Sequence, residues 1–295
     1  MEARYVSTGG IDCPFSTGFG PLVKNSLTAG GKFAKPGIRF LPPDIVTSSL
    51  KENQHLVEIR QNKEVWQKKA VLRQAYAELY RLICAQLSPV EGSTVELGSG
   101  IGVLKEFLPN CVTTDIFPNP WLDRVENAYG LSFPNTSLSN LILFDVFHHL
   151  QWPGSAFEEF ARVLRPQGRV IMMEPGFGFL GKFVYSHFHH EPLGFGQSIS
   201  WDRSATDGDS AGSYYAAQAN AWRLFRLGEG PHRLPEWKTI LVKPLAALSY
   251  VASGGFSRPS LYPPFLFPFV RGFDRIADFL PSLFATRLLV VLERL

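Results

Sequence analysis

Cysteine is scarce in this chain of 295 residues. Cys13, Cys84 and Cys111 lie far apart in the sequence, and no other cysteine accompanies them. Three isolated thiols form neither a disulfide framework nor a cysteine-based metal pattern. The scarcity favours a reducing compartment, so we expect the protein in the cytoplasm.

Net charge and long apolar runs are limited as well. The formal net charge is +3, and no block of Lys or Arg concentrates it, which argues against a nucleic-acid partner. The N-terminus lacks the basic start and apolar run of a secretion signal, and no uninterrupted apolar stretch reaches about 18 residues. We therefore expect no spanning helix, whereas peripheral contact with a membrane stays open.

Phe and Pro, in contrast, are abundant. The chain contains 24 Phe and 22 Pro, many of them late in the sequence, and 45% of its residues are hydrophobic against 19% charged. These proportions are typical of a globular protein. The Phe and Pro excess needs a separate explanation.

The most informative stretch is Val-Glu-Leu-Gly-Ser-Gly-Ile-Gly over residues 95–102. It predicts a buried strand that ends in an acid, followed by a glycine turn that opens into a helix over 102–108. Glycine lets backbone approach a ligand where a Cβ would collide, and a helix start offers unpaired N–H groups. This architecture indicates a nucleotide-type cofactor site.

Two common cofactor motifs do not fit this stretch. A dinucleotide fingerprint requires a third glycine where this chain has Val103, and a P-loop requires a Gly-Lys-Ser/Thr ending. The stretch resembles motif I of the class I methyltransferases that depend on S-adenosylmethionine (SAM). The resemblance implies SAM as the cofactor.

Four further segments follow in the order that this family shows. They resemble a second strand that ends in an acid, the LPF segment, the fourth strand with its His-His pair, and the RVLRPGGR turn with the fifth strand. In this sequence they are Cys111–Asp115, Leu131–Pro134, Leu141–Leu150 and Arg162–Pro175. Over some 80 residues the chain thus resembles the methyltransferases of type 11.

We therefore predict an α/β fold with a Rossmann-like class I methyltransferase sheet and helices on both faces. Alternating strands and helices over the core predict that the sheet is all-parallel. The predicted organisation is an irregular N-terminal arm over 1–45, N-terminal helices over 46–92, the SAM-binding core over 93–175, a substrate-side insertion over 176–236, and the last strands with a Phe/Pro-rich cap insertion over 237–295.

The spacing of apolar residues predicts further helices and strands before and after the glycine turn. An amphipathic helix is expected over Trp66–Leu87 and another helix over Ser213–Leu227. The sixth and seventh strands are expected over 237–242 and 287–293. About 45 residues separate these two strands, and they contain much of the Phe and Pro.

Three explanations of this insertion stay open. The first is a cap that closes over a lipophilic substrate. The second is a patch that lies in a membrane interface, and the third is a small second core packed against residues 176–230. The membrane explanation draws on the basic residues that flank the aromatic ones, because cations suit a segment that lies at the depth of the lipid headgroups: Lys243, Arg258, Arg271 and Arg275.

The resemblance also implies which residues hold the cofactor. Asp115 would bind the ribose hydroxyls and Ile116 would pack on the adenine; a helix N-cap is the alternative role for Asp115. Asp145, at the end of the fourth strand, would meet the methyl donor or the acceptor. The methionyl and ribose part of SAM would be lined by Glu96, Gly98, Ser99 and Gly100.

One position departs from the family pattern. Where the family commonly has Asp-Ala before the LPF segment, this chain has Asn127-Ala128. An amide oxygen still accepts from the adenine amino group but without charge assistance, a difference on the order of 1 kcal/mol. We expect the Asn to weaken SAM binding and not to abolish it.

His148 and His149 are the candidate catalytic residues. Methyl transfer from an activated donor mainly requires alignment and removal of water, so no strong acid–base signature is needed. Neutral imidazole can take a proton near pH 7, which makes His148 the candidate base for a hydroxyl or phenol acceptor. Neighbouring residues are not expected to face the same pocket. The resemblance places His149 at the commoner family position at the start of the next helix, which implies a mainly structural role.

A second histidine group has the spacing of metal ligands but no partner cluster in the sequence. It comprises His187, His189, His190 and Glu191, and we expect it to line the acceptor pocket without a metal. The run 185–192, Asn220-Ala221 and the segment 253–256 resemble an uncharacterised methyltransferase group of bacterial polysaccharide or lipid gene clusters.

The sequence therefore predicts a SAM-dependent methyltransferase that O-methylates a lipophilic or glycosylated small molecule. C- or N-methylation, a non-catalytic SAM-fold scaffold, and a peripheral membrane module remain alternatives. The acceptor and the oligomeric state are not determined by the sequence.

Overall fold

The described part of the chain contains one seven-stranded sheet. A computed structural model describes residues 48–189, 191–204 and 215–295. The strands are β1 (Ser93–Leu97), β2 (Val112–Asp115), β3 (Arg124–Val125), β4 (Leu138–Phe144), β5 (Leu164–Pro175), β6 (Trp237–Leu245) and β7 (Arg287–Arg294). Their order across the sheet is β3-β2-β1-β4-β5-β7-β6.

The sheet is mixed: the parallel arrangement that we predicted from the alternation over the core is confirmed for β1 to β5, but it does not extend to β7. Strands β1 to β5 pair in parallel, but β7 is antiparallel to both β5 and β6. The order matches that of dinucleotide-binding folds as far as β5, with β7 inserted before the last strand. A run of apolar residues predicts a strand but carries no information on its direction.

Helices cover both faces of the sheet, as predicted. Before β1 lie α1 (Ser48–Lys68) and α2 (Ala70–Cys84), and α3 (Pro153–Val163) connects β4 to β5. The apolar side of α2 packs on one face of β4 and β5. Phe157 and Phe160 of α3 pack on the other face. Every residue of β4 is buried, which is typical of a central parallel strand.

Three predicted helices differ in the structure. The helix expected over Trp66–Leu87 belongs to two helices that meet at Lys69. The helix expected over 102–108 is a single 3-10 turn, Val103–Glu106, because Pro109 follows closely and leaves no room for more turns. The anion-binding helix start that we expected at the glycine turn is therefore missing.

The third difference lies in the helix expected over Ser213–Leu227. Ser213 is outside the described residues, and only Trp222–Arg226 forms a helical turn, of the π type. Upstream of it, the N–H groups of Ala217 and Ala219 donate to the backbone oxygens of His148 and Leu193. These long-range hydrogen bonds replace the local ones that a helix would make.

The insertion between β6 and β7 contains α5 (Leu248–Ser253), α6 (Phe267–Ala277) and α7 (Pro281–Phe284). Tyr262 and Phe267 pack on Val71 and Ala75 of α2. The explanation by a second core fails for much of the Phe excess, because one group of large apolar side chains is exposed. We call this group the apolar face: Phe265, Phe269, Phe273, Ile276 and Phe279.

Two further predictions concern the N-terminal arm and membrane-spanning helices. The N-terminal arm expected over 1–45 lies outside the described residues. Across the described ranges, no helix combines the length and the apolarity that a bilayer crossing requires. That finding agrees with the absence of a long apolar run in the sequence.

Candidate active site

The glycine turn after β1 has left-handed backbone at each of its three glycines. The φ angles of Gly98, Gly100 and Gly102 are 66°, 53° and 67°. A Cβ on Gly98 would lie 2.4 Å from a methyl group of Val146, and one on Gly102 would lie 2.8 Å from the backbone oxygen of Trp121. Glycine is thus required here by backbone conformation and by the chain's own packing, whereas we had expected only ligand approach to require it.

Asp115 ends β2 directly beside this turn. Its Oδ2 accepts a hydrogen bond from the Gly100 N–H at 3.0 Å, and its Oδ1 accepts from the Ile116 N–H at 2.7 Å. No helix begins after Asp115, so its alternative role as a helix N-cap is wrong. The side chain of Ile116 is 41% exposed next to it, as a residue available to contact a ligand would be.

Helix α1 covers the glycine turn, which the sequence did not predict. The Cδ1 atom of Ile59 lies 3.6 Å from the position of a Cβ on Gly100. The Nε2 atom of His55 lies 3.9 Å from Oδ1 of Asp115, and its ring packs on Phe117 with centroids 5.2 Å apart. A nucleoside bound over the turn would therefore lie against α1.

Glu96 is a buried carboxyl group at the end of β1. Its Oε2 atom has no hydrogen-bond partner among the residues that the structure describes. Burial raises the pKa of Glu96 to about 7, against the hydrogen bonds of Ser99 and Tyr80, which lower it. An unpartnered carboxylate oxygen in this position fits a cationic ligand group such as the amino group of SAM.

We expect SAM affinity to depend on pH through Glu96. The amino group favours the ionised carboxylate, so the dissociation constant should rise by up to tenfold per pH unit below about pH 7 and level off above it. Isothermal titration calorimetry between pH 5.5 and 8, in buffers of different ionisation enthalpy, measures both the affinity and the released proton. Glu96→Gln should remove the proton release; a wild-type affinity that is flat over this range would contradict the prediction.

Asn127 accepts a backbone hydrogen bond in a local turn. Its Oδ1 atom accepts from the Tyr129 N–H at 3.0 Å. Asn127 and Ala128 are both partly exposed. A carbonyl oxygen has a second lone pair, so the contact of Asn127 with an adenine amino group stays a prediction.

Asp145 and Arg287 form an ion pair at the carboxyl end of β4, in which the arginine is the buried member. Asp145 follows the strand with a φ of 56°, a conformation that non-glycine residues rarely adopt and that occurs preferentially at functional sites. Its Oδ1 accepts from Nη1 of Arg287, whose guanidinium lies 4.2 Å from the ring centroid of Tyr250. The Arg287 side chain is 2% exposed, whereas that of Asp145 is 31% exposed. The sequence showed Arg287 only as the first residue of a strand.

Glu174, at the end of β5, organises the turn that follows Asp145. Its Oε1 atom accepts from the N–H groups of Val146 and Phe147 at 2.9 and 2.8 Å. Its Oε2 atom lies 2.6 Å from Nδ1 of His148. Glu174 is fully buried, and the sequence analysis gave it no role.

His148 does not have the neutral imidazole that a general base requires. Burial lowers its pKa, but the charge of Glu174 and the hydrogen bonds of Glu174 and Glu191 outweigh burial and raise the pKa to about 10. At neutral pH the ring therefore carries a proton on both nitrogens. The geometry favours His148 as a positioning group over the base that we expected.

His148 and His149 both face the carboxylate of Glu191, whereas we expected the two side chains to point to different places. Both belong to the 3-10 turn Phe147–His149, and their ring centroids are 4.1 Å apart. Nε2 of His148 lies 3.5 Å from Oε2 of Glu191, and Nε2 of His149 lies 3.8 Å from Oε1 of the same carboxylate. Adjacent residues can share one partner here because Glu191 reaches the turn from a separate loop and its two carboxylate oxygens face the two rings.

The later histidine group is divided in the structure. His187 lies on α4 (Phe179–Phe188), where its Nδ1 contacts the backbone oxygen of Phe183 at 2.9 Å. His189 lies near Glu191, with their side-chain atoms 3.7 Å apart. His190 lies outside the described residues. Glu191 is thus the member of this group that contacts both candidate catalytic histidines.

Comparison with known families identifies the central part of the chain. Residues 95–172 match the family model described as a methyltransferase domain. The matched segment runs from β1 through most of β5 and includes Asp115, Asp145 and both candidate catalytic histidines. No curated protein sequence matches the chain.

Solved structures of similar fold include several methyltransferases. A possible histamine N-methyltransferase from Thermotoga maritima shares 14% identity over 80% of this chain and 98% of its own, with a TM-score of 0.46. Geranyl diphosphate C-methyltransferase from Streptomyces coelicolor shares 13% over 79% of this chain and 84% of its own, with a TM-score of 0.44. A Haloferax volcanii putative methyltransferase complexed with its Trm112 activator shares 15% over 83% and 97%, with a TM-score of 0.44. Identities this low do not transfer an acceptor to this chain.

Proposed function

We propose, from the premise that this chain is a class I SAM-dependent methyltransferase, that it O-methylates a lipophilic small molecule at the carboxyl edge of its sheet. SAM supplies an already activated methyl group when it is bound. The observation that carries the cofactor assignment is the Asp115 carboxylate hydrogen-bonded to the glycine turn at 3.0 Å. Glu96, Asp115 and Ile116 would hold the amino, ribose and adenine parts of the cofactor.

The acceptor side is assigned to the polar groups beyond β4. Burial, together with the charge of His148, lowers the pKa of His149, so its ring is neutral at pH 7. We assign His149 and Glu191 to contact with the acceptor hydroxyl, and Asp145 to the junction between acceptor and donor. His148, held by Glu174, would position this group; alignment of the hydroxyl with the methyl group then provides most of the catalysis.

Removal of the Asp115 carboxylate tests the cofactor assignment. Two charge-assisted hydrogen bonds to ribose hydroxyls are worth about 1.5–3 kcal/mol each, so Asp115→Ala should weaken binding of SAM and S-adenosylhomocysteine by about 100-fold or more. Asp115→Asn should fall between this variant and the wild type. Titration calorimetry gives the affinities, and Glu158→Ala, on the exposed side of α3, is the matched control.

The same titration separates an enzyme from a scaffold. A wild-type protein whose melting temperature and heat of titration respond to neither SAM nor S-adenosylhomocysteine would favour the non-catalytic alternative. Wild-type affinity retained in Asp115→Ala would instead contradict the assignment of the ribose site.

The apolar face supports a lipophilic acceptor taken from an anionic membrane surface. Phe269 and Phe279 are 75% and 85% exposed, and the first lies on α6 with Phe273 and Ile276 on the same helical side. Helix α4, which contacts α7, adds the exposed Phe179 and Phe183. Several large apolar side chains exposed next to one another are unusual on a monomer and mark an interaction surface.

The charges around the apolar face complement anionic headgroups. Asp274 is buried and hydrogen-bonded to Ser249, and Asp278 accepts from the Ala246 N–H, so both acids of α6 and its end are used internally. Arg275 and Lys182 are exposed. Large apolar side chains with flanking cations are typical of a helix that lies in the membrane interface.

We expect the full chain to sediment with vesicles that contain anionic phospholipid. Phe269→Ser/Phe273→Ser should lower the bound fraction severalfold, because two large apolar side chains no longer enter the interface. Leu227→Ser, which removes an exposed apolar residue from another element, is the control. Equal sedimentation of the wild type and the double variant would exclude the apolar face as the membrane contact.

A further inference from the structure

His148, His149 and Glu191 form a compact group that we call the His–Glu cluster. The ligand-capable atoms of the cluster all lie within 4.8 Å of one another. The Glu191 side chain is 8% exposed, and Nε2 of each ring points to one of its two oxygens. Two imidazoles and one carboxylate are a ligand set found in catalytic zinc sites and in other divalent metal sites.

The other ring nitrogens have the partners that metal-binding histidines usually have. Nδ1 of His148 lies 2.6 Å from the Glu174 carboxylate, and Nδ1 of His149 lies 2.9 Å from the backbone oxygen of Tyr215. A carbonyl oxygen can only accept, so Nδ1 of His149 carries the hydrogen and its Nε2 presents a lone pair. Such contacts from Nδ1 orient the ring of a metal ligand and raise its basicity.

Glu191 is held in place as well. Its Oε2 accepts from Nε2 of Gln218 at 2.9 Å, and Gln218 is fully buried. All three residues of the cluster are thus oriented by a further group. A simple ion pair between one histidine and one carboxylate would not need all three of these orienting contacts, from Glu174, Tyr215 and Gln218.

The distances suit a small divalent ion. Zinc bonds to nitrogen and oxygen are about 2.0–2.1 Å long, which places tetrahedral ligand atoms about 3.4 Å apart. The separations from Nε2 of His148 to Oε2 of Glu191 and from Nε2 of His149 to Oε1 of Glu191 are 3.5 and 3.8 Å, each within a few tenths of this value, so each ring faces its own oxygen of one carboxylate. We propose that the His–Glu cluster binds one divalent transition metal ion of the zinc type, with His148 and His149 as nitrogen ligands and Glu191 as the oxygen ligand.

The proposed metal site deepens the proposed function and rests on it for its role. Three protein ligands leave a position for an oxygen atom of the acceptor. A carboxylate oxygen of Asp145 lies within 4.8 Å of one ring nitrogen of His148 and of one oxygen of Glu174, so the His148 ring lies between the proposed ion and the junction of donor and acceptor. The Glu174 and Glu191 carboxylates, which favour a proton on His148, favour a metal cation there for the same electrostatic reason.

Metal binding by the full chain tests this proposal without an acceptor. The protein is stripped with chelator and titrated with Zn²⁺ against a competing chelator, and with Co²⁺ to record the visible absorption of the ion. We expect one equivalent of Zn²⁺ and the intense bands of a tetrahedral or five-coordinate Co²⁺ site. Glu191→Gln and His149→Gln should each weaken affinity by about tenfold or more, and Glu174→Gln by about 10–100-fold.

His232→Gln, an exposed histidine outside the cluster, is the control and should retain the wild-type affinity and spectrum. Circular dichroism and SAM calorimetry on the same samples establish that each variant is folded and separate this test from that of methyl transfer. A wild-type protein that binds no more Zn²⁺ than Glu191→Gln, while still binding SAM, would overturn the metal site and leave the cluster as an ion-pair network.

Discussion

Asp145→Gly is expected to lower the free energy of unfolding by about 3–5 kcal/mol, which is the usual consequence of leaving one member of a buried ion pair without its partner. Arg287 is 2% exposed, and its guanidinium would keep its charge without the carboxylate. Glycine is the appropriate replacement because Asp145 has a positive φ, which glycine adopts without strain. Urea unfolding at neutral pH measures the difference.

The reciprocal substitution provides the control. Arg287→Met leaves a carboxylate that is 31% exposed and can regain water, so its loss of stability should be clearly smaller. In Asp145→Asn/Arg287→Met both charges are removed, and stability should recover towards the wild type. A larger loss in Arg287→Met than in Asp145→Gly would show that the aromatic contacts of the guanidinium, and not its charge, dominate.

Glu174→Ala is the second substitution with a large expected effect, also of about 3–5 kcal/mol. It leaves the N–H groups of Val146 and Phe147 buried without acceptors, at about 1–3 kcal/mol each, and removes the carboxylate beside His148. The turn that carries both histidines should then lose its fixed geometry. Thermal unfolding and amide hydrogen exchange at Phe147 report the global and the local effect.

Glu174→Gln separates these contributions. Its remaining oxygen can still accept both backbone hydrogen bonds, whereas its amide group faces Nδ1 of His148, so we expect a loss of only about 1–2 kcal/mol. Glu158→Ala, on an exposed surface, should stay within about 0.5 kcal/mol of the wild type. Equal losses in the Ala and Gln variants would mean that the His148 contact, not the backbone hydrogen bonds, holds the turn.

The strand–turn–acid arrangement to which we assign the cofactor could be predicted because its residues are local in sequence. The strand, the glycine turn and Asp115 lie within about twenty residues of one another along the chain. Parallel pairing of β1 and β2 then places the acid beside the turn whatever the rest of the fold does. The contact of helix α1 with the glycine turn could not be predicted in this way. An amphipathic pattern shows which side of a helix is buried but not which segment it packs against.

The acceptor half could not be predicted in the same way. Glu191 reaches His148 and His149 from some forty residues away, and Arg287 lies 142 residues after Asp145 in the sequence. Spacing arguments search for ligands within one segment, so the histidine pair and the later histidine group were treated separately. The charges around His148 could not be inferred from spacing for the same reason, since the carboxylates that raise its pKa are remote in sequence.

The sequence by itself determined the strand–turn–acid unit, the helices on both faces and the methyltransferase domain over residues 95–172, because these depend on short-range patterns and on backbone conformation at a few glycines. Only the tertiary structure decided the direction of β7, the outward position of the late Phe residues, and the meeting of two histidines with Glu191. The reason is physical: burial, charge pairing and strand direction depend on which distant segments become neighbours, and that information is absent from the local order of residues.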